Sequence, residues 1–187
     1  MSKEKTWKLW ENETLNEEET KLLRRKADDL PVPFDEEGKR DIKILIDSFL
    51  AREDALGLAA PQIGISKKIV VFKNKNLDAR GAVKSDKDYD VLVNPRISQI
   101  RGDKTKMSEG CLSCPDVSVE VVRYDEIKVR AYDQNGNKIN KRYKGFLARV
   151  AQHELDHLEG KLIIDHGGSI MVPKEKHAFF EKLFRDS

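Results

Sequence analysis

Residues 146–158 constrain the fold most, because they combine the pattern of a core helix with side chains that bind metals. Apolar residues recur there at intervals of three and four, which predicts an amphipathic helix that Gly160 suits as a C-terminal stop. His153 and His157 are four residues apart, so both imidazoles lie on one helix face and reach a single ion. The apolar positions are Phe146, Leu147, Val150, Ala151, Leu155 and Leu158.

Glu154 lies beside the first histidine, one residue further around the helix. From there a carboxylate can touch a water on the ion without ligating the ion, so the pattern indicates a metal-dependent hydrolase with Glu154 as proton carrier. Either histidine alone would more often be a hydrogen-bonded structural residue, and the pair with its glutamate favours a metal site. A catalytic site needs a third protein ligand. Downstream acids and histidines form no compelling pattern, whereas Cys111 upstream offers a thiolate.

Cys111 and Cys114 form a Cys-x-x-Cys pair, which leaves other interpretations open. Two cysteines and two histidines could make a closed structural zinc site, but residues 115–152 separate the pairs and small zinc fingers use about a dozen residues there. A thioredoxin-like redox role is weaker, because no βαβ pattern surrounds the pair. On its own, Cys114 reads as a small buried apolar residue.

Charge and hydropathy narrow the classes of partner. The 35 basic and 33 acidic side chains leave a net charge of +2, which gives no electrostatic reason to expect nucleic acid. No apolar run is long enough to span a membrane. The first residues lack the apolar core of a secretory signal and are too acidic for a transit peptide, so we expect a cytoplasmic protein.

The remaining patterns predict one α+β domain over residues 1–187, with a polar N-terminal arm at 1–34. A mainly antiparallel sheet is expected to pack around the central metal-binding helix. Further helices are predicted from Asp35 to about Asp54 and from Pro173 onward, and a hairpin turn at 133–137. Residues 57–64 read as a constrained loop and 73–90 as a surface excursion. Strands are predicted at 69–72, at 91–93 ending before Asn94-Pro95, and at 117–122, 127–132 and 162–164.

Three blocks in order resemble the signature motifs of peptide deformylases. They are Gly-Leu-Ala-Ala-Pro-Gln at 57–62, Glu-Gly-Cys-Leu-Ser at 109–113 and Gln-His-Glu-Leu-Asp-His at 152–157, and the likeness extends from about residue 41 to 165. The family usually begins the first block with Gly-x-Gly, whereas Ala55 stands at the first glycine here. Alanine tolerates positive φ less well than glycine, so this departure bears on how closely the loop approaches a substrate.

The resemblance implies that the protein hydrolyses the N-formyl group from the formyl-methionine of newly made polypeptides and releases formate. It implies one divalent ion, Fe²⁺ natively, for which Zn²⁺, Ni²⁺ or Co²⁺ could substitute. The family's metal ligands correspond to Cys111, His153 and His157. The partners would be N-formylmethionyl nascent peptides, and contact with the ribosome would follow from where those peptides emerge.

The same resemblance assigns the catalytic roles. Glu154 would be the acid and base, while the Gln62 side-chain amide and the Leu112 backbone N–H would donate to the oxyanion. Gly57 would offer backbone groups to a peptide bound as an added strand. Leu58 would line a pocket for a methionine-like side chain, as would Leu112 and Val150, but a plain core role is equally compatible with each.

Several residues near these motifs are candidates to support the proposed metal ligands. Glu109 is a candidate to orient a ligand histidine through its other ring nitrogen. Asp156 could do the same or pair with an arginine, and Arg149 could be structural or lie at the substrate rim. His166 and His177 have no partner pattern and are expected to be solvated. A zinc endopeptidase, with a third ligand other than a cysteine, is the alternative enzyme class.

Overall fold

The computed structural model of the chain describes residues 4–52, 54–75, 83 and 85–185. Short 3₁₀-helices lie at Ala60–Ile63, Ile163–His166 and Lys174–Lys176. The strands and α-helices, in chain order, are β1 (Trp10–Glu11), β2 (Thr14–Leu15), α1 (Glu17–Leu23), α2 (Glu36–Leu50), β3 (Gly57–Ala59), β4 (Ile69–Lys73), β5 (Tyr89–Cys111), β6 (Cys114–Tyr132), β7 (Lys138–Lys144), α3 (Gly145–Leu158), β8 (Ile170–Met171) and α4 (His177–Arg185).

An antiparallel sheet in the order β3-β4-β5-β6-β7 forms the centre of the structure. The short strand β8 adds to β6, and β1 pairs with β2 in a separate hairpin. Helix α3 contacts strands β3, β4, β6 and β7 of the sheet. The predicted α+β class, a mainly antiparallel sheet around a helix, is confirmed.

Strand β4 shows how the two largest helices share the sheet. Successive side chains of a strand point to opposite faces. Val70 and Phe72 pack in a core cluster with α3, while Ile69 and Val71 pack in a second cluster with α2. Burial on both faces explains why this strand is an uninterrupted apolar run in the sequence.

Helix α2 begins directly after Asp35, close to the predicted start. The Asp35 carboxylate accepts a hydrogen bond from the Gly38 N–H at 2.8 Å, which satisfies one of the free amides of the first turn. The helix ends at Leu50, four residues before the predicted end near Asp54.

The prediction that a strand ends before Asn94-Pro95 is wrong, because β5 continues to Cys111. The register shifts between Val93 and Arg96, and Asn94 adopts a φ of 51°. Such a bulge places Pro95, which has no N–H, where the ladder of hydrogen bonds is interrupted. The strands predicted at 117–122 and 127–132 are likewise parts of one strand, β6, which pairs with β5 along this long hairpin.

Two short segments also differ from expectation. Residues 57–64 are strand β3 followed by a 3₁₀-helix rather than a loop. The predicted strand at 162–164 is mostly a 3₁₀-helix, in which the Asp165 carboxylate accepts from the Leu162 N–H at 2.7 Å. Pro173 precedes a 3₁₀ turn, and α4 itself begins at His177. Part of the predicted excursion at 73–90, namely 76–82 and 84, lies outside the described residues.

The hairpin turn at 133–137 is confirmed. The Asp133 carboxylate accepts from the N–H groups of Asn135 and Asn137 at 2.8 and 2.9 Å, and Gly136 has a φ of 83°. Among the described residues, no helix has the length and apolar character needed to cross a membrane.

Gly160 should be intolerant of a side chain for a reason beyond its backbone conformation. Its φ is 71°, and a Cβ there would lie 2.3 Å from the Arg24 carbonyl oxygen. Gly167, with a φ of 66°, has nothing within 4 Å of a Cβ and is the matched control. Both alanine variants should lose about 1 kcal/mol through φ, and Gly160→Ala clearly more. Equal urea midpoints for the two variants would contradict the close approach of α1 to α3.

Candidate active site

A cavity of about 460 Å³ opens where β3, the β5–β6 turn and α3 meet. Each of the three sequence blocks contributes to its wall, although they are distant in the chain. The predicted site residues that line it are Gly57, Gln62, Cys111, Leu112, His153 and Glu154.

Three predicted metal ligands converge at this cavity. One ligand atom from each of Cys111, His153 and His157 lies within 4.8 Å of the others, and the Cys111 Sγ is 3.4 Å from His157 Nε2. The thiolate comes from the end of β5 and the imidazoles from one face of α3. Among the described residues Cys114 does not join this group, although it is buried as expected. Three protein donors suit a site that keeps a position for water, and they disfavour a closed Cys₂His₂ site.

The environment of Cys111 favours its metal-binding form. A hydrogen bond from Cys114 is the largest influence and lowers the pKa of the Cys111 thiol; burial opposes it, and nearby His157 lowers the pKa further. The resulting pKa is well below that of an ordinary thiol. Thiolate rather than thiol is the form that ligates metals.

Glu109 orients the first histidine, as its sequence position suggested. His153 Nδ1 lies 3.0 Å from the Glu109 carboxylate, which leaves Nε2 of the ring for the ligand cluster. Burial alone would raise the pKa of Glu109, but hydrogen bonds from His153 and Arg123 outweigh it and hold the pKa well below its ordinary range. The carboxylate is therefore charged at neutral pH.

Two buried arginines hold Glu109 in place. Arg123 donates from Nε and one terminal nitrogen to the two carboxylate oxygens at 2.8 and 2.9 Å, and Arg149 donates to one of them at 2.6 Å. Arg149 is 4% exposed and also donates to the Val121 carbonyl, so of its two interpretations the structural one fits. Arg123 was not predicted as a site residue. The alternation of β6 could have indicated it, because Arg123 follows the buried Val121 by two residues and therefore points to the same, inward face.

Asp156 extends the network to a second histidine. Its carboxylate accepts from Arg123 at 2.7 Å and lies 2.8 Å from His166 Nε2. The expectation that His166 is solvated was therefore wrong, because its partner comes from another segment of the chain. The side chain of His177 is 70% exposed, as expected.

Glu154 is buried beside the ligands with one oxygen unpaired. Glu154 is 4% exposed, and its Oε2 has no hydrogen-bond partner among the described residues. Burial raises the pKa of the carboxyl group above its ordinary value. A Cβ on Gly57 would lie 2.4 Å from Glu154 Oε1, so the glycine makes room for the carboxyl group.

The Gln62 side chain bonds to the backbone of its own segment and also points into the site. Its Oε1 accepts from the Ala59 N–H at 2.9 Å, which fixes the amide so that Nε2 donates to Ser113 Oγ at 3.2 Å. The same Nε2 is 3.8 Å from the Cys111 Sγ. Leu112 lies in the two-residue turn between β5 and β6 and lines the same cavity as Gln62.

The polar N-terminal arm holds the 3₁₀-helix that contains Gln62 and the turn between β5 and β6, a role without a clear sequence signal. Trp7 N–H donates to the Gln62 carbonyl at 2.7 Å, and Leu9 N–H donates to the Ser113 carbonyl at 2.9 Å. The Trp10 indole donates to the Pro115 carbonyl at 2.9 Å.

The apolar residues near the site divide between cavity and core. Val150 and Leu112 line the cavity, and so does Phe146, which is 41% exposed and was not predicted as a site residue. Leu58 is fully buried in the α2 core cluster, so its side chain does not reach the cavity. Ala55, at the position of the missing glycine, is buried and lines the cavity.

Comparisons with known proteins agree with this geometry. The family model for polypeptide deformylase matches residues 13–176. Peptide deformylase 2 of Rickettsia conorii is 41% identical over 158 residues, covering 82% of this chain and 78% of that protein.

Solved structures show the same likeness. The crystal structure of a peptide deformylase from Legionella pneumophila aligns with a TM-score of 0.73 and 30% identity, covering 99% of this chain and 95% of that one. A class I type b peptide deformylase from Acinetobacter baumannii, crystallised with Met-Ala-Ser bound, aligns with a TM-score of 0.69 and 27% identity over 86% of this chain and 96% of that one. The chain belongs to the polypeptide deformylase family of metal-dependent hydrolases, which remove the N-formyl group from newly made polypeptides.

Proposed function

We propose that Cys111, His153 and His157 hold one divalent ion, Fe²⁺ natively, while Glu154 moves the proton during deformylation. The observation that carries this proposal is the convergence of three donors within 4.8 Å of one another beside a buried carboxyl group with an unpaired oxygen. One thiolate and two imidazoles fit Fe²⁺, and they would also accept Zn²⁺, Ni²⁺ or Co²⁺.

Glu154 has the properties that proton transfer requires. When bound, a divalent ion supplies Lewis-acid activation that lowers the pKa of water from about 15.7 toward about 7. Glu154 Oε2 takes the proton of the attacking water and later gives it to the departing amine. The raised pKa of Glu154 brings its proton affinity closer to neutral pH, where a shuttle works best.

Gln62 and Leu112 are proposed as the donors to the oxyanion. The Gln62 amide is held by Ala59, so its Nε2 is aimed at the site before the reaction begins. A donor that needs no reorganisation stabilises the developing charge, and one such donor is typically worth about 10²-fold or more in kcat. The Leu112 backbone N–H is the second donor, from the turn that follows Cys111.

The peptide is proposed to add to the edge of the sheet at β3. This strand stands at one end of the order β3-β4-β5-β6-β7, so the backbone of Gly57 and Leu58 is available on one side. Leu112, Val150 and Phe146 would surround an apolar side chain of the substrate's first residue. The Met-Ala-Ser bound to the Acinetobacter baumannii relative supports a peptide that begins with methionine.

N-formylmethionyl chains emerge from the ribosome in the cytoplasm, and we propose that the protein acts there. The likeness to relatives named peptide deformylase supports this setting. The alternative, a zinc endopeptidase, is disfavoured because the third donor is Cys111.

Glu154→Ala should abolish deformylation while leaving the metal bound. We expect formate release from formyl-Met-Ala-Ser to fall by about 10²- to 10⁴-fold, because general acid–base catalysis contributes that much. Metal content by mass spectrometry should stay equal to wild type. Glu181→Ala, on the exposed face of α4, is the control and should remain active. A metal-loaded wild type that releases no formate, or that cuts internal peptide bonds, would refute the proposal.

Gly57→Ala should displace the Glu154 carboxyl group. A Cβ would lie 2.4 Å from Oε1, so kcat should fall at least about tenfold, with metal content retained. Gly110→Ala is the matched control in the same cavity, since nothing lies within 4 Å of its Cβ. If the two variants had the same kcat, Gly57 would not be what positions Glu154.

A further inference from the structure

The outward face of β5, β6 and β7 collects basic side chains. In β6, Ile127 and Val129 point into the core with α3, so the alternate residues point to the opposite face. Directly paired residues of neighbouring strands share a face. The register therefore places seven basic residues together, called the basic face from here on: Arg96, Arg101, Lys128, Arg130, Lys138, Arg142 and Lys144.

This face is far more positive than the chain as a whole. Glu126 is its one acidic member, and Arg142 and Lys144 each pair with it at 3.0 Å. Hydrogen bonding from Lys144 is the largest influence that lowers the pKa of Glu126, so it stays charged. Arg96 pairs with Asp29 at 2.6 Å. The whole chain carries a net charge of only +2, so the fold separates charges that the sequence appears to balance.

Most of these cations are exposed to solvent, and most make no salt bridge with the part of the chain that the structure describes. Six of the seven are exposed and Lys128 is half-buried. Within the described residues, salt bridges on this face involve Arg96, Arg142 and Lys144 only. Besides Glu126, the other side chains of the face are Gln99, Asn140, the half-buried Tyr132 and the buried Val93, so no fully exposed apolar group interrupts it.

Protection of a sheet edge does not explain the pattern. Lysines on an edge strand oppose unwanted strand pairing, and this accounts for Lys138 and Lys144 on β7. It does not account for Lys128 and Arg130, because β6 is paired on both sides by β5 and β7. Four of the seven are arginines, whose planar fork matches the geometry of a phosphate group.

We propose that the basic face binds the phosphate backbone of RNA. Rows of cations about 4.8 Å apart, with side chains about 7 Å apart along each strand, present charge over a broad surface rather than at one point. The amides of Gln99 and Asn140 add donors and acceptors for sugar hydroxyls. A membrane surface would call for apolar side chains among the cations, which this face lacks. This proposal departs from the expectation from net charge, which gave no reason to expect nucleic acid.

RNA bound here would leave the cavity open. The basic face and α3 lie on opposite sides of β6, so a polyanion on one side does not cover Cys111 or Glu154 on the other. Binding to RNA and hydrolysis of a short formyl peptide can therefore be measured separately. Failure of the RNA proposal would leave the proposed function untouched.

The test compares two triple variants that lose the same charge. One is Lys128→Gln, Arg130→Gln and Arg142→Gln on the basic face. The control, from the exposed helices α1 and α2, is Lys21→Gln, Lys39→Gln and Lys43→Gln. Binding of a labelled short RNA duplex is followed by fluorescence anisotropy from about 50 to about 200 mM salt. Formate release from formyl-Met-Ala-Ser confirms that every protein is folded.

The basic-face variant should lose at least about tenfold in affinity for RNA at low salt. The slope of the logarithm of its affinity against the logarithm of the salt concentration should become shallower by about 3, one for each cation removed. The control variant should bind as the wild type does. Three results would overturn the proposal: no binding of RNA by active wild type at low salt, equal losses in both variants, or tighter binding to phosphatidylserine vesicles than to RNA.

Discussion

The rest of the structure depends on the hydrogen bonds and ion pairs that the buried Glu109 carboxylate makes. It joins β5 to β6 through Arg123 and β5 to α3 through Arg149 and His153. Removing one partner of such a network leaves an uncompensated buried charge, which typically costs about 3–5 kcal/mol. The contact with His153 also fixes the ring of a proposed metal ligand. The contacts that stabilise the packing are therefore the same contacts that orient the site.

That arrangement explains why the side chains proposed to be catalytic come from such distant parts of the chain. The helix supplies His153 and Glu154, the end of β5 supplies the thiolate, and the 3₁₀-helix after β3 supplies the Gln62 amide. Hydrogen bonds from the N-terminal arm to the Gln62 and Ser113 carbonyls tie this 3₁₀-helix and the β5–β6 turn to one segment. Gly57 then completes the site by leaving room for a carboxyl group.

Local patterns predicted the parts of the molecule that local physics decides. The apolar stripe of α3, the start of α2 after Asp35 and the Asn-Gly turn each depend on residues a few positions apart, and each was found. The long β5–β6 hairpin was missed because a bulge at Asn94, set by pairing with a distant strand, carries the chain past Pro95. Arg123 and His166 were missed for a related reason, since their partners lie on other elements. The separation of charge on the sheet depends on register, which net charge cannot report.

The most direct test of the account is X-ray absorption spectroscopy of the Zn²⁺-loaded protein. Ligation by Cys111, His153 and His157 predicts one sulfur at about 2.3 Å and two imidazole nitrogens at about 2.0–2.1 Å. The sulfur signal should disappear in Cys111→Ser and persist in Cys114→Ser. Two sulfurs in the wild type, or a sulfur that disappears only in Cys114→Ser, would contradict the account.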